Sequence, residues 1–332
     1  MERKQILDNH GRPINYVRLA VTDRCNLRCF YCMPAEGIKY LPRKELLSYE
    51  EMERLLRVLA GLGINKVRIT GGEPFLRKDL IGFLENITQI EGIDKVNITT
   101  NGVLTAPFIP RLKAMGISSI NLSMDTLDRE RFAKITRRDE LPKVLQCLEA
   151  LIDSEIPTKI NAVIMEGKNT DDIIPLVEYT RNHPVSVRFI EEMPFNGTGE
   201  GHSGISWNHR KILETIKNQF PDIEKIPDPP NSTAYNYQIP GFKGEVGIIA
   251  AFSRTFCGTC NRIRLTAQGM LKTCLYDDGV MDIRGLIRGG ASDEELENAF
   301  LQAFGNRAKN GYEAEERRSD QKPSESMSTI GG

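Results

Sequence analysis

The feature that most constrains the fold is a regular alternation of short β-rich runs with amphipathic helical segments. Six runs rich in valine and isoleucine recur between residues 16 and 191: YVRLAVT (16–22), KVRITGG (66–72), VNITTNG (96–102), INLSMDT (120–126), KINAVIM (159–165) and VSVRFIE (185–191). Strand–helix alternation of this kind predicts parallel βαβ units. Six units can form an open sheet or a complete or partial barrel of βα repeats.

The helical segments and the polar residues support this interpretation. The segment from Ser48 to Gly63 opens with a capping box formed by Ser48 and Glu51, and four later segments carry apolar residues at helical spacing. Unusual polar residues follow the strands, including Gly71-Gly72-Glu73-Pro74 and Thr99-Thr100-Asn101-Gly102. The carboxyl ends of the strands form the functional rim of such folds, so we expect the site there.

Composition excludes several classes of protein. The formal net charge is −1, which gives no electrostatic case for a nucleic-acid or anionic-membrane partner. No apolar run approaches the roughly 20 residues of a membrane span. The N-terminus MERKQILDNHGRP mixes charges and has no apolar region typical of a signal peptide. We therefore predict a cytoplasmic protein, in which clustered cysteines serve as metal or catalytic ligands.

Three of the seven cysteines stand within the stretch CNLRCFYC, at positions 25, 29 and 32. Three thiolates on one tight loop can bind three irons of a cubic iron–sulfur cluster and leave the fourth iron open to a small molecule. The alternative is a zinc site completed by a distant ligand. The histidines are all remote in sequence, which weakens that alternative; they are His10, His183, His202 and His209.

A second triad, Cys257, Cys260 and Cys274, has the spacing C-x2-C-x13-C and again no nearby histidine. Two three-cysteine sites fit two clusters with open irons better than two incomplete zinc sites, although a structural zinc stays open for the second. The seventh cysteine, Cys147, lies among apolar residues at helical spacing and is interpreted as core.

Basic residues occupy several of the predicted strands. Arg18 and Arg68 lie in the first two strands, Lys159 begins the fifth, and Arg262 and Arg264 alternate after Cys260. Most arginines lie on solvated or salt-bridged surfaces. An arginine inside an otherwise apolar barrel strand needs a partner, because an unpaired buried charge is costly. A phosphate ligand would supply that partner.

The stretch CNLRCFYC after the first strand, together with GGEP after the second, resembles the radical S-adenosylmethionine (SAM) superfamily. In that superfamily the open iron binds the amino and carboxylate groups of SAM, and an electron from the cluster cleaves SAM to a 5′-deoxyadenosyl radical. The second triad, the Arg-Ile-Arg after Cys260 and the terminal Gly-Gly further resemble the MoaA family. These are the GTP 3′,8-cyclases, lyases that convert GTP to (8S)-3′,8-cyclo-7,8-dihydroguanosine 5′-triphosphate in molybdenum cofactor biosynthesis.

The resemblance implies roles for individual residues. Cys25, Cys29 and Cys32 would hold the [4Fe–4S] cluster that binds SAM, and Cys257, Cys260 and Cys274 a second [4Fe–4S] cluster that binds the guanine. The residues implied to line SAM are Tyr31, Gly72, Ser123 and Met193. Those implied to contact GTP are Arg18, Arg68, Thr99, Lys159, Arg262, Ile263 and Arg264. Gly331 and Gly332 would fold into the active site and assist cyclisation.

The implied fold is a partial (βα)6 TIM-type barrel with a C-terminal extension carrying the second cluster. We assign residues 1–195 to the barrel, 196–243 to an irregular connector with one helix, 244–305 to the module of the second cluster and 306–332 to a flexible tail. Composition alone predicts disorder for the tail. The implied partners are a flavodoxin- or ferredoxin-type electron donor, a downstream MoaC-like cyclic pyranopterin monophosphate synthase and a second copy in a homodimer.

Two alternatives stay open from the sequence. One is a different radical SAM enzyme with a second cluster, for example one that modifies peptides, which would need a peptide groove rather than basic residues around a small polyanion. The other is a non-catalytic protein with two iron–sulfur or zinc sites. Cleavage of SAM under reducing conditions separates the second alternative from both enzymes.

Overall fold

Each of the six predicted βα strands forms in the structure, a computed structural model that describes residues 5–195, 205–318 and 325–331. The strands are β1 (Tyr16–Ala20), β2 (Lys66–Thr70), β3 (Lys95–Thr100), β4 (Ser119–Ser123), β5 (Thr158–Ile164) and β6 (Ser186–Glu191). Neighbours in this order pair in parallel, with Arg18 opposite Arg68 and Asn161 opposite Arg188. The pairing confirms the predicted partial barrel of six βα units.

Helices connect these strands as the periodicity predicts. They are α1 (Tyr49–Gly61), α2 (Leu80–Thr88), α3 (Ile109–Ala114), α4 (Arg129–Thr136), α5 (Leu141–Asp153) and α6 (Ile173–Tyr179). The capping box of α1 is present: Ser48 Oγ accepts a hydrogen bond from the Glu51 amide at 3.2 Å, and Glu51 accepts one from the Ser48 amide at 2.7 Å. Only α4 has no counterpart among the predicted helices, because its charged sequence RERFAKIT weakens the apolar period.

The C-terminal part of the chain extends the sheet at both edges. Its strands are β7 (Glu224–Lys225), β8 (Ala234–Gln238), β9 (Glu245–Ile249), β10 (Arg262–Leu265), β11 (Met270–Lys272) and β12 (Met281–Asp282). Strand β10 pairs in parallel with β1, and β9 pairs in parallel with β6, so both edges of the barrel are covered by later strands. The complete order is β12-β11-β10-β1-β2-β3-β4-β5-β6-β9-β8-β7, and β10 and β11 form the hairpin predicted around Gln268-Gly269.

The later helices are α7 (His209–Gln219), α8 (Ile283–Arg288), α9 (Asp293–Gly305), α10 (Gly311–Glu316) and α11 (Met327–Ile330). Two regions differ from the prediction. Residues 224–225 and 234–238 form strands in the supposedly irregular connector, because the alternating AYNYQ run pairs with β9. The described parts of the supposedly flexible tail form α10 and α11, because buried ion pairs and hydrogen bonds hold this polar segment against the barrel.

Strand alternation divides the barrel into an apolar outer face and a polar inner face. The outward side chains, such as Val17, Leu19 and Val67, are fully buried against the helices, and burial of each is worth about 1.5–3 kcal/mol. The inward positions of the same strands carry Arg18 and Arg68. None of the described helices has both the length and the apolar character needed to cross a membrane.

Candidate active site

The first cysteine triad lies on the loop that follows β1. A tight turn brings its members together, since the Cys32 amide donates to the Cys29 carbonyl at 2.9 Å. The Leu27 amide donates to Cys25 Sγ at 3.4 Å, and Asn101 Nδ2, from the loop after β3, lies 3.7 Å from the same sulfur. Hydrogen bonds of this kind favour the thiolate form that a cluster requires.

The loop after β2 packs directly against the entry to this cysteine loop. The Gly72 amide donates to the Thr22 carbonyl at 2.8 Å, and the Glu73 amide donates to the Arg24 carbonyl at 2.7 Å. A Cβ added to Gly72 would lie 2.2 Å from the Arg24 carbonyl oxygen, and one added to Gly71 would lie 2.4 Å from that of Thr22. Both glycines are therefore required by close backbone approach.

Glu73 is a fully buried carboxylate that joins the loops after β2 and β3. It accepts hydrogen bonds from the Asn101 amide at 2.7 Å, from Thr100 Oγ1 at 2.8 Å and from the Phe75 amide at 3.1 Å. Burial raises the pKa of Glu73 to about 7 despite these bonds. Through these hydrogen bonds Glu73 holds the two loops together. The GGEP turn is therefore part of the site rather than an isolated bend.

The residues expected to line SAM come from four separate elements. The Tyr31 hydroxyl donates to Asp125 Oδ2 at 2.9 Å, just beyond the end of β4, where Ser123 is half-buried. Burial raises the pKa of Asp125 to about 7. Met193 follows β6 and packs with the apolar cluster that contains Phe195 and Tyr276. One rim of the barrel therefore carries Tyr31, Gly72 and Ser123. Met193 lies on the loop that follows β6.

Burial favours the neutral form of the three thiols in the first triad. Burial and the neighbouring Glu73 raise the pKa of Cys25 to about 11, and burial next to Cys25 raises that of Cys32 to about 12. Burial also raises the pKa of Cys29 well above its ordinary value. Without a metal these thiols are neutral at pH 7, whereas iron would convert them to thiolates. Three thiolates on one loop are the ligand set of a cluster with one open iron.

In the second triad, Cys257 and Cys260 lie between β9 and β10, and Cys274 follows β11. Cys257 and Cys260 share a tight turn, in which the Cys260 amide donates to the Cys257 carbonyl at 3.2 Å, and the Cys274 amide donates to Asp277 Oδ2 at 2.7 Å. Burial by itself would raise the pKa of Cys260, but the positive charges of Arg262 and Arg307 lower it to about 6. This cysteine is a thiolate at neutral pH and is ready to bind iron.

Each triad offers three sulfur donors and no nearby histidine in the sequence. Within the described part of the chain, no three Cys, His, Asp or Glu side chains converge on one ion position. A zinc ion requires sulfur ligands at about 2.3 Å in a tetrahedron. A cubic cluster binds each thiolate through a different iron, so its sulfurs lie further apart. Three thiolates at each position are the ligand set of a cubic cluster with one open iron, as the family resemblance implies.

Basic side chains expected to contact GTP meet on the inner face of the barrel. Arg18 lies opposite both Arg68 in β2 and Arg264 in β10, so the three occupy one level of three neighbouring strands. Arg68 donates to Thr99 Oγ1 at 3.4 Å and to the Tyr16 hydroxyl at 2.7 Å. The side chain of Ile263 points the other way, into the apolar core, so only its backbone can reach the lumen.

This lumen has a strongly positive electrostatic character. Burial, together with Arg264, lowers the pKa of Arg18 to about 9. Burial next to Arg188 and Arg68 lowers the pKa of Lys159 to about 7. Burial is the largest cause of both pKa shifts, and repulsion from the neighbouring cations adds to it. A polyphosphate is the kind of ligand that would stabilise all of them together.

Sequence reasoning missed several polar residues of the lumen. Arg188 in β6 is half-buried and lies opposite Asn161. Its buried Nε has no hydrogen-bond partner among the described residues, and the same holds for Asn161 Oδ1, Asn121 Oδ1 and Ser186 Oγ. The sequence could have indicated Arg188 as a site residue, because it is an arginine within an apolar strand, as Arg18 and Arg68 are. Buried unpartnered polar atoms indicate a ligand that satisfies them.

The chain's C-terminus reaches this lumen. Arg264 Nη1 donates to the Gly331 carbonyl at 2.6 Å, and Gly331 has a φ of 75°. A Cβ on Gly331 would lie 2.9 Å from Thr70 Cγ2 and 3.3 Å from Ala20 Cβ, at the ends of β2 and β1. The second residue of the terminal pair, Gly332, lies outside the described residues.

Comparison with protein families covers nearly all of this architecture. A model of the radical SAM superfamily matches residues 19–180, and a model described as Molybdenum Cofactor Synthesis C matches residues 185–313. A protein of Moorella thermoacetica named GTP 3′,8-cyclase is 41% identical over 298 residues, which cover 89% of this chain and 92% of that protein. The chain belongs to the GTP 3′,8-cyclase family of radical SAM proteins. As a member, it uses SAM and iron–sulfur clusters.

Other members of the GTP 3′,8-cyclase family differ in length. The mitochondrial GTP 3′,8-cyclase of Arabidopsis thaliana is 40% identical over 298 residues, which are 88% of this chain and 75% of that protein. Molybdenum cofactor biosynthesis protein 1 of Homo sapiens is 40% identical over 307 residues, which are 90% of this chain but 47% of that protein. The chain therefore spans about half the length of the animal relatives that it matches.

Solved structures support the same fold. The structure of Streptococcus suis SuiB bound to S-adenosylmethionine aligns with a TM-score of 0.57 and 16% identity, covering 82% of this chain and 63% of that one. A second SuiB structure aligns with a TM-score of 0.59 and 15% identity, covering 90% of this chain and 67% of that one. At this identity the likeness concerns the fold alone. It agrees with the partial barrel of this cyclase-family chain.

Proposed function

We propose that the protein is a GTP 3′,8-cyclase, which forms (8S)-3′,8-cyclo-7,8-dihydroguanosine 5′-triphosphate in the first step of molybdenum cofactor biosynthesis. The observation that carries this proposal is one barrel whose inner face is lined by basic residues and bordered by two cysteine triads. The name and length of the Moorella relative agree with it. The other members of the family described above have names that point to the same pathway.

In this proposal the first site binds SAM. Cys25, Cys29 and Cys32 hold a [4Fe–4S] cluster, and the residues that line SAM are Tyr31, Gly72, Ser123 and Met193. With its cluster and SAM bound, this site supplies a 5′-deoxyadenosyl radical that takes hydrogen from C3′ of GTP, and closure of the C3′–C8 bond needs one further electron and a proton. The loops joined by Glu73 keep Cys25 and the SAM-binding turn in register.

The second site and the lumen bind GTP. Cys257, Cys260 and Cys274 would hold a second [4Fe–4S] cluster, which would supply the binding position for the guanine. The side chains that bind the triphosphate are Arg18, Arg68, Lys159, Arg188, Arg262 and Arg264, with Thr99 and the backbone at Ile263. Charge-assisted hydrogen bonds from several cations fix the nucleotide so that its ribose faces the first site.

The terminal glycines complete the site. The Gly331 carbonyl accepts a hydrogen bond from Arg264, and Gly331 lies against the ends of β1 and β2. In this proposal it excludes water from the lumen. Exclusion of water protects a carbon radical from side reactions. We assign Gly331 and Gly332 to the cyclisation step, in which they hold the nucleotide in the reactive conformation.

The proposal extends to partners and compartment. A flavodoxin- or ferredoxin-type donor supplies the electron, a MoaC-like cyclic pyranopterin monophosphate synthase takes the product, and a second copy forms a homodimer. Free cysteines in both triads favour a reducing compartment such as the cytoplasm.

An anaerobic reaction tests the function. Protein reconstituted with iron and sulfide is mixed with dithionite, SAM and GTP, and products are measured by liquid chromatography and mass spectrometry. We expect 5′-deoxyadenosine and a cyclised nucleotide to appear together, and guanosine in place of GTP to give little cyclised product. Deoxyadenosine with unchanged GTP would favour a different radical SAM enzyme. Neither product, from protein that holds iron and sulfide, would contradict radical chemistry altogether.

A further inference from the structure

The largest side chain among the fully buried residues of the described chain is an arginine, Arg307. It lies just after α9, in a stretch that the sequence pattern leaves without a role. Burial of a guanidinium is costly unless its charge and its hydrogen bonds are satisfied. The hydrogen-bond partners of Arg307 therefore indicate what this buried side chain does.

Arg307 donates to the segments that carry two cysteines of the second triad. Its Nη1 donates to the Cys260 carbonyl at 2.8 Å, and its Nε donates to the carbonyl of Thr273, the residue before Cys274, at 3.0 Å. Its Nη2 donates to the Arg262 carbonyl at 2.8 Å and lies 3.2 Å from Cys260 Sγ. The planar guanidinium of Arg307 thus connects the backbone at Cys260, the residue before Cys274 and the basic strand β10.

The N-terminal segment holds Arg307 in place. Asp8 Oδ2 lies 3.3 Å from Arg307 Nη1 and 2.7 Å from Arg12 Nε, and the Asp8 side chain is fully buried. Arg12 donates in turn to the carbonyl of Cys257 at 3.1 Å and to that of Ala308 at 2.8 Å. The two arginines and one aspartate together contact the backbone at or beside all three cysteines.

This arrangement places net positive charge against the second triad. Two guanidinium groups share one carboxylate, and a donor of Arg307 points at a cysteine sulfur. Hydrogen bonds to cluster sulfurs and nearby positive charge stabilise the reduced, more negative state of an iron–sulfur cluster. Partners outside the ligand shell also fix the orientation of the ligands.

We propose that Arg307 is a positioning residue of the second cluster: it orients Cys260 and raises the reduction potential of that cluster, while Asp8 and Arg12 hold it in place. The inference rests on the proposed function, in which the second triad binds a cluster.

The test measures the second cluster by itself. In full-length protein with Cys25→Ala, Cys29→Ala and Cys32→Ala, all bound iron reports on the second triad. Arg307→Met removes charge and hydrogen bonds, Arg307→Lys keeps the charge without the planar fork, and Arg131→Met is the control. Arg131 is also an ion-paired arginine, but its partner is Asp172 in the radical SAM domain. Iron and sulfide content, the electron paramagnetic resonance spectrum and the reduction potential are measured for each.

We expect Arg307→Met to make the reduction potential more negative, to change the spectrum and to weaken iron retention against a chelator about 10- to 100-fold. Arg307→Lys should give a reduction potential between those of the parent and Arg307→Met. If the methionine variant does not fold, the lysine variant is compared with the parent instead. Arg131→Met should leave all three properties unchanged.

A folded Arg307 variant with the parental potential and spectrum would overturn the proposal, even if its melting temperature fell, because a purely structural role changes only the latter. Failure of the proposed function has a different signature. It would appear as wild-type protein that cyclises no GTP while its second cluster still responds to Arg307.

Discussion

Gly72 is the residue at which two loops of the first site meet, and its replacement by alanine tests that contact. The added Cβ would lie 2.2 Å from the Arg24 carbonyl oxygen, where backbone atoms cannot move aside. We expect overpacking to cost about 1–3 kcal/mol and to displace the cysteine loop. The yield of 5′-deoxyadenosine should fall about 100-fold, the effect of displacing reacting groups by about 1 Å.

Gly82→Ala is the matched control for that variant. Gly82 lies in α2, and an added Cβ there meets no atom within 4 Å. Alanine should stabilise the helix by about 0.5–1 kcal/mol and leave SAM cleavage unchanged. Equal deoxyadenosine yields from Gly72→Ala and Gly82→Ala would refute the role of Gly72.

If Lys159 binds GTP as proposed, we expect the affinity for GTP to depend on pH. Burial and the neighbouring Arg188 and Arg68 lower its pKa to about 7, so the free protein loses this charge as pH rises above 7. The triphosphate favours protonated lysine, so binding takes up a proton and affinity falls with pH by up to tenfold per unit. Tyr16, whose pKa three cations lower to about 7 against the effect of burial, becomes an anion over the same range and weakens binding in the same direction.

Calorimetry of GTP binding between pH 7.5 and 9 measures this effect, since phosphates have a second pKa of about 6 and no longer titrate there. Proton uptake follows from the heat in buffers of different ionisation enthalpy. Lys159→Arg should remove the contribution of the lysine, and Tyr16→Phe that of the tyrosine. An affinity of the wild-type protein that does not change over this range would count against the assignment of both residues.

At the scale of elements, α11 depends on an ion pair at its start. The fully buried Lys272 contacts Glu325 at 2.8 Å, and Ser326 Oγ donates to the Cys32 carbonyl at 2.7 Å. Glu325→Gln leaves the buried ammonium without its counter-charge, which should cost about 3 kcal/mol in urea unfolding. The helix should detach, so that less cyclised nucleotide forms for each deoxyadenosine.

Glu316→Gln serves as the control, because Glu316 is exposed at the end of α10. Its ratio of cyclised nucleotide to deoxyadenosine should match that of the wild-type protein. If Glu325→Gln also kept the wild-type ratio, α11 would have no part in cyclisation.

Local pattern predicted the elements whose stability is local. Strands β1 to β6, the capping box of α1 and the hairpin of β10 and β11 all follow from periodicity and turn residues. The positions of β9 and β10 at opposite edges of the barrel do not, because strand partners depend on contacts between residues far apart in sequence. The tail was missed for the same reason, since its order depends on partners such as Lys272.

The residues of the site could be predicted where short sequence motifs indicate their chemistry. The cysteine triads and the arginines of apolar strands could be found from spacing and alternation. Arg307 could not, because its function depends on carbonyl groups of residues 260, 262 and 273, whose proximity only the fold creates.

At the scale of the whole molecule, the proposed function divides the reaction between the two triads. Replacement of Cys257, Cys260 and Cys274 by alanine should abolish the cyclised nucleotide. It should leave SAM cleavage within a few fold, because the described contacts of the first cysteine loop come from other segments. Cys147→Ala, in the apolar core on α5, controls for loss of a buried cysteine and should keep both activities. Cyclisation by the triple variant would contradict a substrate role for the second site.

The central claim is that a radical generated at the first site reaches a nucleotide held by the second. The most direct test uses GTP carrying deuterium at C3′ in an anaerobic reaction with SAM and reductant, followed by mass spectrometry of 5′-deoxyadenosine. We predict that the deoxyadenosine gains one deuterium from C3′, and none from GTP labelled at C2′. Deoxyadenosine that acquires no deuterium from C3′, although it accumulates with GTP present, would contradict this account.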